Sequence, residues 1–448
     1  MQGVTLTVAI FLSILVLTLR PRHALIVYLA GLLYYPSFLA VSIGTIDILL
    51  GRVLVTVLFV RCIYNDRLRS KFKWSQLDKW VMYSMAVYVG VTLISQPTWA
   101  AIENRGGFLM DTWLAYMVAR FIITDRSELI YVIKCIAIIL VPLAIMGCIE
   151  AITGWQPFVP LRRFSPWDTG SITKEGVRWG FTRAVGPFLH PILFGSSFAI
   201  FLPLVYYLRY EKNKWHNLAY VLSGLMVVGA LCSMSSGPWI MIIVLLFCMV
   251  MDKYRQYVKP MLILFVFLCL TVEVLSNRPF YHVIFSYGSK LGGAGWHRAQ
   301  LIDVAIKHFG EWWLAGYGGK DPGWGPHFGM GHTDVTNEYI LAGVKYGLAG
   351  VIVTCGVLVV AFKGIISAYK KVGHPVMKSL YWAFGSLLVA IIVVWTSISF
   401  FGQLMPLFYS VLGIIGSGII FPAARKCRPR KIVAISSNKV AVLNQSIH

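Results

Sequence analysis

Stretches of apolar residues recur from Gly3 almost to Phe421, each close to the roughly 20 residues that a helix needs to cross a bilayer core about 30 Å thick. They predict helices near residues 3–19, 24–42, 45–63, 80–96, 107–123, 129–150, 190–208, 217–233, 237–251, 260–276, 336–362, 377–397 and 403–421. The expected fold is an all-α polytopic integral membrane protein with about 12–13 transmembrane helices, forming a single transmembrane domain over 1–424. The first stretch, Gly3 to Leu19, has neither a basic n-region nor an A-x-A-like cleavage site, so it reads as a retained helix rather than a removed signal peptide. No internal repeat or low-complexity segment is present.

Composition agrees with that pattern. The chain is 58% hydrophobic and 13% charged, with a mean hydropathy of +0.72. Soluble domains carry about a quarter charged residues, so a soluble globular fold is excluded. The eight cysteines (Cys62, Cys135, Cys148, Cys232, Cys248, Cys269, Cys355 and Cys427) fall in apolar stretches, at their ends or in the basic tail, which indicates neither a disulfide framework nor a Cys-based metal site.

A net charge of +22 would suggest nucleic acid in a soluble protein, but here position decides. Most Lys and Arg residues fall in short connections that recur on one side of the threading: Arg20/Arg22, Arg61 to Lys79, Arg209 to Lys214, Lys253 to Lys259 and Lys363 to Lys378. The tail 425–448, basic and expected to be disordered, joins them. That side reads as cytoplasmic, and no nucleic-acid partner is expected. Two long connections, about 152–189 and 277–335, are left on the outer side. The first holds Arg162, Arg163, Lys174, Arg178 and Arg183 against Asp168 and Glu175. The second holds Arg278, Lys290, Arg298, Lys307 and Lys320 against Asp303, Glu311, Asp321 and Asp334. Both are net positive. Solvated surface charge would account for them; the sharper reading is an anion site at the membrane surface, where the planar fork of arginine suits phosphate.

Within the first loop, Arg178 and Arg183 lead through glycine and proline turn signals to His190, a capping or interfacial residue before Pro191. In the second, Leu301, Ala305, Phe309 and Trp312 share helical spacing and predict a short amphipathic helix on the membrane surface, with Trp312 and Trp313 at the interface. Five histidines lie there: His282, His297, His308, His327 and His332. Of these, His332 beside Asp334 suits a general base with an orienting carboxylate. No zinc pattern appears. Ionisable residues inside the apolar stretches are few (Asp47, Arg52, Asp111, Lys134, Glu150 and Lys345), and Asp47 and Arg52 are poorly spaced to pair along a helix. Their sparsity argues against proton-coupled transport.

Three segments resemble the O-antigen ligase and O-antigen polymerase superfamily of bacterial surface-polysaccharide enzymes. Tyr116 to Phe158 is similar to paired helices ending in an E-x-x-x-G step at Glu150 and Gly154. "RAVGPFLHPILFG", Arg183 to Gly195, is similar to an R-x-x-G-x-x-x-x-P step. "HRAQLIDVAIKHFGEWWLAGYG" and then "DVTNEYILAGVKYGLAG" resemble the signature outer loop, with an arginine, glycines, an asparagine-centred motif and G-x-x-G. The likeness spans roughly 116–362. Thr336 stands before Asn337 where many members have histidine, and Ser235 to Ile240 lacks an arginine common at that step.

The resemblance implies a metal-independent, cofactor-free glycosyltransferase in O-antigen, exopolysaccharide or capsule biosynthesis. Such an enzyme takes a glycan from a polyprenyl (undecaprenyl) diphosphate carrier and passes it to a hydroxyl on a glycan, lipid or protein acceptor. The expected location is the bacterial cytoplasmic (inner) membrane, multi-pass among membrane lipids, with the site facing outward. On this reading Arg183 and Arg298 bind the diphosphate and Arg178 assists. His332 with Asp334 activates the acceptor, Asn337 belongs to the catalytic motif, and Trp312, Trp313, Trp324 and Tyr339 stack on sugar rings. The alternative is a transporter or flippase of lipid-linked sugars.

Overall fold

The computed structural model describes residues 2–167, 176–289 and 295–421. The tail 425–448 and the loop residues Asp168, Lys174, Glu175 and Lys290 lie outside the described residues. The described residues are 75% helix and 3% strand. In order, the helices are α1 (Gln2–Thr18), α2 (Pro21–Tyr34), α3 (Leu50–Tyr64), α4 (Asp66–Lys71), α5 (Gln76–Ser95), α6 (Trp99–Leu109), α7 (Ala115–Ile122), α8 (Arg126–Thr153) and α9 (Pro191–Tyr207). They continue as α10 (Trp215–Cys232), α11 (Ser236–Met251), α12 (Val258–Leu275), α13 (Phe280–Ser289), α14 (Gly295–Lys307), α15 (Phe309–Trp312), α16 (Glu338–Lys371), α17 (Pro375–Val394) and α18 (Leu404–Ile420). Among the described residues, seven helices are long and apolar enough to cross a membrane, and Gln2–Thr18, Ser236–Met251 and Leu404–Ile420 are shorter apolar helices. This agrees with an all-α membrane protein.

Each apolar stretch in the sequence contains a helix, but the second and third are shorter than their apolar runs. Pro36 disfavours helical geometry at Tyr35, and α2 ends at Tyr34. The chain then forms an antiparallel hairpin, β1 (Ala40–Ile43) and β2 (Ile46–Leu49), turning at Gly44 with φ +62°. Asp47 sits in this hairpin and accepts from Ser42 Oγ at 2.6 Å. The core is formed by α2, α3, α7, α8, α9, α17 and α18, where Phe194, Phe198, Phe201 and Phe384 are fully buried. By contrast, α12 buries none of its residues.

Hydrogen bonds at the helix ends sort the connections into two groups. At one end, the start of α8 meets the end of α9 through Arg126 to Tyr207 (2.9 Å) and Glu211 (2.6 Å), and Arg209 pairs with Asp252 at 2.8 Å. There too, Asp78 at the start of α5 accepts from Arg120 Nε at 2.7 Å and Nη2 at 2.8 Å, and Arg120 also reaches Ser417 of α18. The short basic connections gather at this end. At the other end, the end of α8 meets the approach to α9, and both long loops converge there.

The second loop has a small core of its own. Leu301, Val304, Ala305, Trp312, Trp324, Phe328 and Val344 are buried together. The predicted amphipathic helix is present as α14, but its apolar face fills this core instead of lying free on a bilayer, and Phe309 is left half exposed. The core docks onto a break in α16. Gly347 has φ +70° and ψ −167°, so the helical ladder opens there. The freed groups are taken up by the loop: Leu348 N–H donates to the Trp313 carbonyl at 2.7 Å, and Tyr317 N–H donates to the Val344 carbonyl at 2.7 Å. A side chain at Gly347 would run into the Leu314 carbonyl, so both its conformation and its packing require glycine.

Candidate functional site

The turn between α10 and α11, Ser233–Ser236, is the meeting point of the two loops. Arg178 Nη1 donates to the Met234 carbonyl at 3.1 Å, Arg183 Nη2 to Ser235 Oγ at 2.9 Å, and Arg298 Nη2 to Ser236 Oγ at 3.1 Å. Three arginines, separated by up to 120 positions in sequence, thus address three consecutive residues. Arg298 also donates from Nε to the Ser397 carbonyl at 3.0 Å, which ties in the α17–α18 connection. All three belong to the arginines that the sequence singled out, and Ser235 and Ser236 open the step that lacks the arginine common there; Ser397 carried no charge or motif signal that would mark it.

Local structure aims each arginine. Arg178 lies on a hairpin of β3 (Val177–Arg178) and β4 (Phe181–Thr182), whose turn residues Trp179 and Gly180 both have positive φ, +51° and +82°. Arg183 follows directly, and its backbone is clamped. Gln156 Nε2 donates to the Arg183 carbonyl at 3.0 Å, Ala184 N–H donates to the Cys232 carbonyl at 2.9 Å, and Glu150 Oε2 accepts Val185 N–H at 2.8 Å and Gly186 N–H at 3.0 Å. The E-x-x-x-G and R-x-x-G segments are therefore one structural unit, in which the buried end of α8 positions Arg183. Arg298 is in α14 and only 8% exposed.

Mutual repulsion marks the cluster as strongly cationic. Burial, followed by Arg183, Arg162 and Arg178, pushes His190 down to about 4. Burial and then the Arg178 guanidinium hold Arg298 below the usual arginine value. His190 caps α9, its Nδ1 accepting Ile192 N–H at 3.1 Å, as expected from its place before Pro191. A cluster that disfavours its own protonated states gains most from a bound anion.

The remaining expected residues are placed differently. His332 and Asp334 are both exposed, and no hydrogen bond joins them among the described residues. His332 instead lies in the field of Asp321, and Asp334 in the field of His297. Asn337 caps α16: its Oδ1 accepts Tyr339 N–H (2.9 Å) and Ile340 N–H (3.1 Å), and its Nδ2 donates to the Thr396 carbonyl (3.2 Å), so its amide is committed to structure. Trp312 donates to the Ala305 carbonyl at 2.8 Å with its ring against Gly343, and Trp324 is 1% exposed in the loop core, so neither presents a face to a sugar. Tyr339 donates to the Ile392 carbonyl at 3.1 Å and is partly buried beside Trp395. Trp313 alone of these four aromatics is substantially exposed.

Two further features adjoin the arginines: one has no signal in the sequence, and the other is one of the five loop histidines. Trp179 and Trp239 stack at 5.2 Å and 21°, exposing aromatic surface immediately beside Arg178. His297, next to Arg298, is 4% exposed, packs on Phe328 at 4.6 Å, and its Nε2 has no protein hydrogen-bond partner. Burial holds it below the usual histidine value, with Asp334 opposing and Arg298 reinforcing. The imidazole is thereby kept neutral, as a proton acceptor must be.

On the far side of residues 395–403 lies a cavity of about 350 Å³ between helices. Arg52 and Asp111 pair in its wall at 2.7 Å, Asp111 standing on the π-helical turn Met110–Leu114 between α6 and α7. Arg52 therefore has a partner on another helix, not Asp47. Glu338, Lys345 and Arg105 face the same space. The connection 395–403 is a shared wall: Ser397 meets Arg298, and Phe400 N–H donates to Glu338 at 2.9 Å.

No model of a known protein family matches the chain. A search of curated protein sequences finds no match either.

Proposed function

We propose that the chain is a membrane glycosyltransferase that moves a glycan from a polyprenyl diphosphate carrier to a hydroxyl acceptor at the outer face of the bacterial cytoplasmic membrane, in surface-polysaccharide synthesis. In this reading the chain crosses the membrane about 12–13 times and both long loops lie outside. The observation that carries it is the convergence of Arg178, Arg183 and Arg298 from separate loops onto Met234, Ser235 and Ser236. A diphosphate leaving group develops charge as the anomeric C–O bond breaks, and preoriented guanidinium groups stabilise that charge. The acceptor oxygen attacks the anomeric carbon, its proton passes to a neutral base, and the bond's electron pair leaves with the diphosphate. His297 takes the place first assigned to His332 as base. Trp179 and Trp239 offer the sugar-stacking surface first assigned to Trp312, Trp324 and Tyr339. No metal or cofactor is required for these steps.

The test is reconstitution in liposomes with lipid-linked oligosaccharide, measuring released carrier diphosphate. Arg183→Ala and Arg298→Ala should each lower turnover about 100-fold or more. Turnover within twofold of wild type in both would overturn the assignment. A second reading, movement of lipid-linked sugars between leaflets, is favoured by the charged helix-lined cavity with its Arg52–Asp111 pair. It requires transport without bond cleavage, lost in Arg52→Gln and retained in the loop-arginine variants.

A further inference from the structure

The cavity behind residues 395–403 contains a charge imbalance that its walls do not resolve. Its cations are Arg52, Arg105 and Lys345, and its anions are Asp111 and Glu338, three against two. Arg52 and Asp111 neutralise each other directly. Arg105 donates to Tyr346 Oη (2.7 Å) and Asn104 Oδ1 (2.5 Å), both neutral, and its Nε is buried without a partner. Lys345 makes no hydrogen bond or ion pair among the described residues; the charges it feels are Glu338, attractive, and Arg105, repulsive. Glu338 commits Oε2 to Phe400 N–H at 2.9 Å and makes no ion pair among the described residues. Two cations and one carboxylate therefore face the cavity without charged partners.

We propose that this cavity is a second anion site that takes one acidic sugar unit of the glycan, with Arg105 and Lys345 on its carboxylate. The net excess of one positive charge suits a monoanion, whereas a dianionic phosphate would meet Glu338. Glu338 Oε1 and Asn104 supply hydroxyl partners, and Trp395 and Tyr346 form part of the wall. A volume of about 350 Å³ sits at the small end of ligand cavities, large enough for a monosaccharide and too small for a chain of them. The shared wall explains how one substrate engages both sites: Ser397 and Phe400, three residues apart, touch Arg298 on one side and Glu338 on the other. This assignment of substrate class rests on the transferase reading.

Calorimetric titration of the full chain in lipid nanodiscs tests it with methyl glucuronide, methyl glucoside and inorganic phosphate as probes. Wild type should bind the glucuronide about 10-fold or more tightly than the glucoside. Lys345→Met and Arg105→Gln should each abolish that preference, while Lys345→Arg keeps it. Inorganic phosphate should compete weakly. Equal affinity for the two sugars, no saturable glucuronide binding up to about 50 mM, a preference that survives Lys345→Met, or phosphate binding as tight as glucuronide overturns the proposal. Lys345→Arg keeps the test decisive should the methionine variant fail to fold. Glucuronide preference without any release of carrier diphosphate would leave the site standing and remove the transferase reading. Diphosphate release without the preference would do the reverse.

Discussion

A histidine serves as a general base only where it is neutral, sheltered and next to the reacting group. The sequence offered five in one loop with nothing to rank them except a neighbouring carboxylate, which selected His332. Burial selects differently. His297 is 4% exposed, lacks a partner at Nε2 and adjoins Arg298 in the chain. Removing a general base costs about 10²–10⁴ in rate, so His297→Gln should lose at least about 100-fold in turnover while His332→Gln stays within a few-fold, measured as carrier-diphosphate release. Because burial lowers the His297 value, the acid limb of the kcat/KM profile should lie below the ordinary histidine value of about 6.5. His190 gives a separate pH signature in stability. Its folded value is about 4, so between the unfolded value and about 4 the unfolded chain binds the extra proton. Stability is full above about pH 6.5 and is lost as pH falls toward 4. Thermal unfolding should show His190→Asn to flatten this loss, and an identical slope in the variant would refute the assignment.

At the scale of elements, one contact holds the basic end of the helices together and another seats the second loop. The buried Arg120 to Asp78 pair joins α5, α7 and α18, with Tyr116 Oη donating to the same carboxylate at 2.5 Å. Breaking a buried pair strands a charge, so Asp78→Asn should destabilise by about 3–5 kcal/mol, read as a lowered denaturation midpoint in detergent; a shift under about 1 kcal/mol would show the pair to be solvated. The break at Gly347 lets the second loop bond to α16. Alanine there would be strained at φ +70° and would push against the Leu314 carbonyl, for a cost of about 2 kcal/mol or more. Gly347→Ala should also raise the accessibility of Trp312 to fluorescence quenchers. The helices were legible because long apolar runs carry their own explanation. The 40–49 hairpin was not, since its β-branched apolar residues read equally well as more helix. The arginines were legible because charge in a long loop is conspicuous. The roles of Trp312, Trp324 and Asn337 were hidden, because whether an aromatic faces solvent or a core is decided by docking between segments far apart in the chain.

For the whole molecule, the helix-end contacts distinguish a basic end from a loop end, and the proposed function requires the loop end to face outward. Short loops rich in Lys and Arg stay cytoplasmic, whereas long loops translocate largely regardless of charge. Lys212 and Lys371 belong to the basic end, and Ala100 and Lys320 to the loop end; all four are exposed. The described cysteines are buried or partly buried, which favours an introduced thiol as the reactive one. A membrane-impermeant maleimide applied to intact cells should therefore label Ala100→Cys and Lys320→Cys, and should label Lys212→Cys and Lys371→Cys only after the membrane is opened. The same experiment bears on chemistry. A carrier diphosphate presented at the outer face can meet Arg178, Arg183 and Arg298 only if the loop end is outside. Labelling in the opposite pattern would leave the arginine cluster intact but facing the cytoplasm, and would exclude polymer transfer at the outer surface as its task.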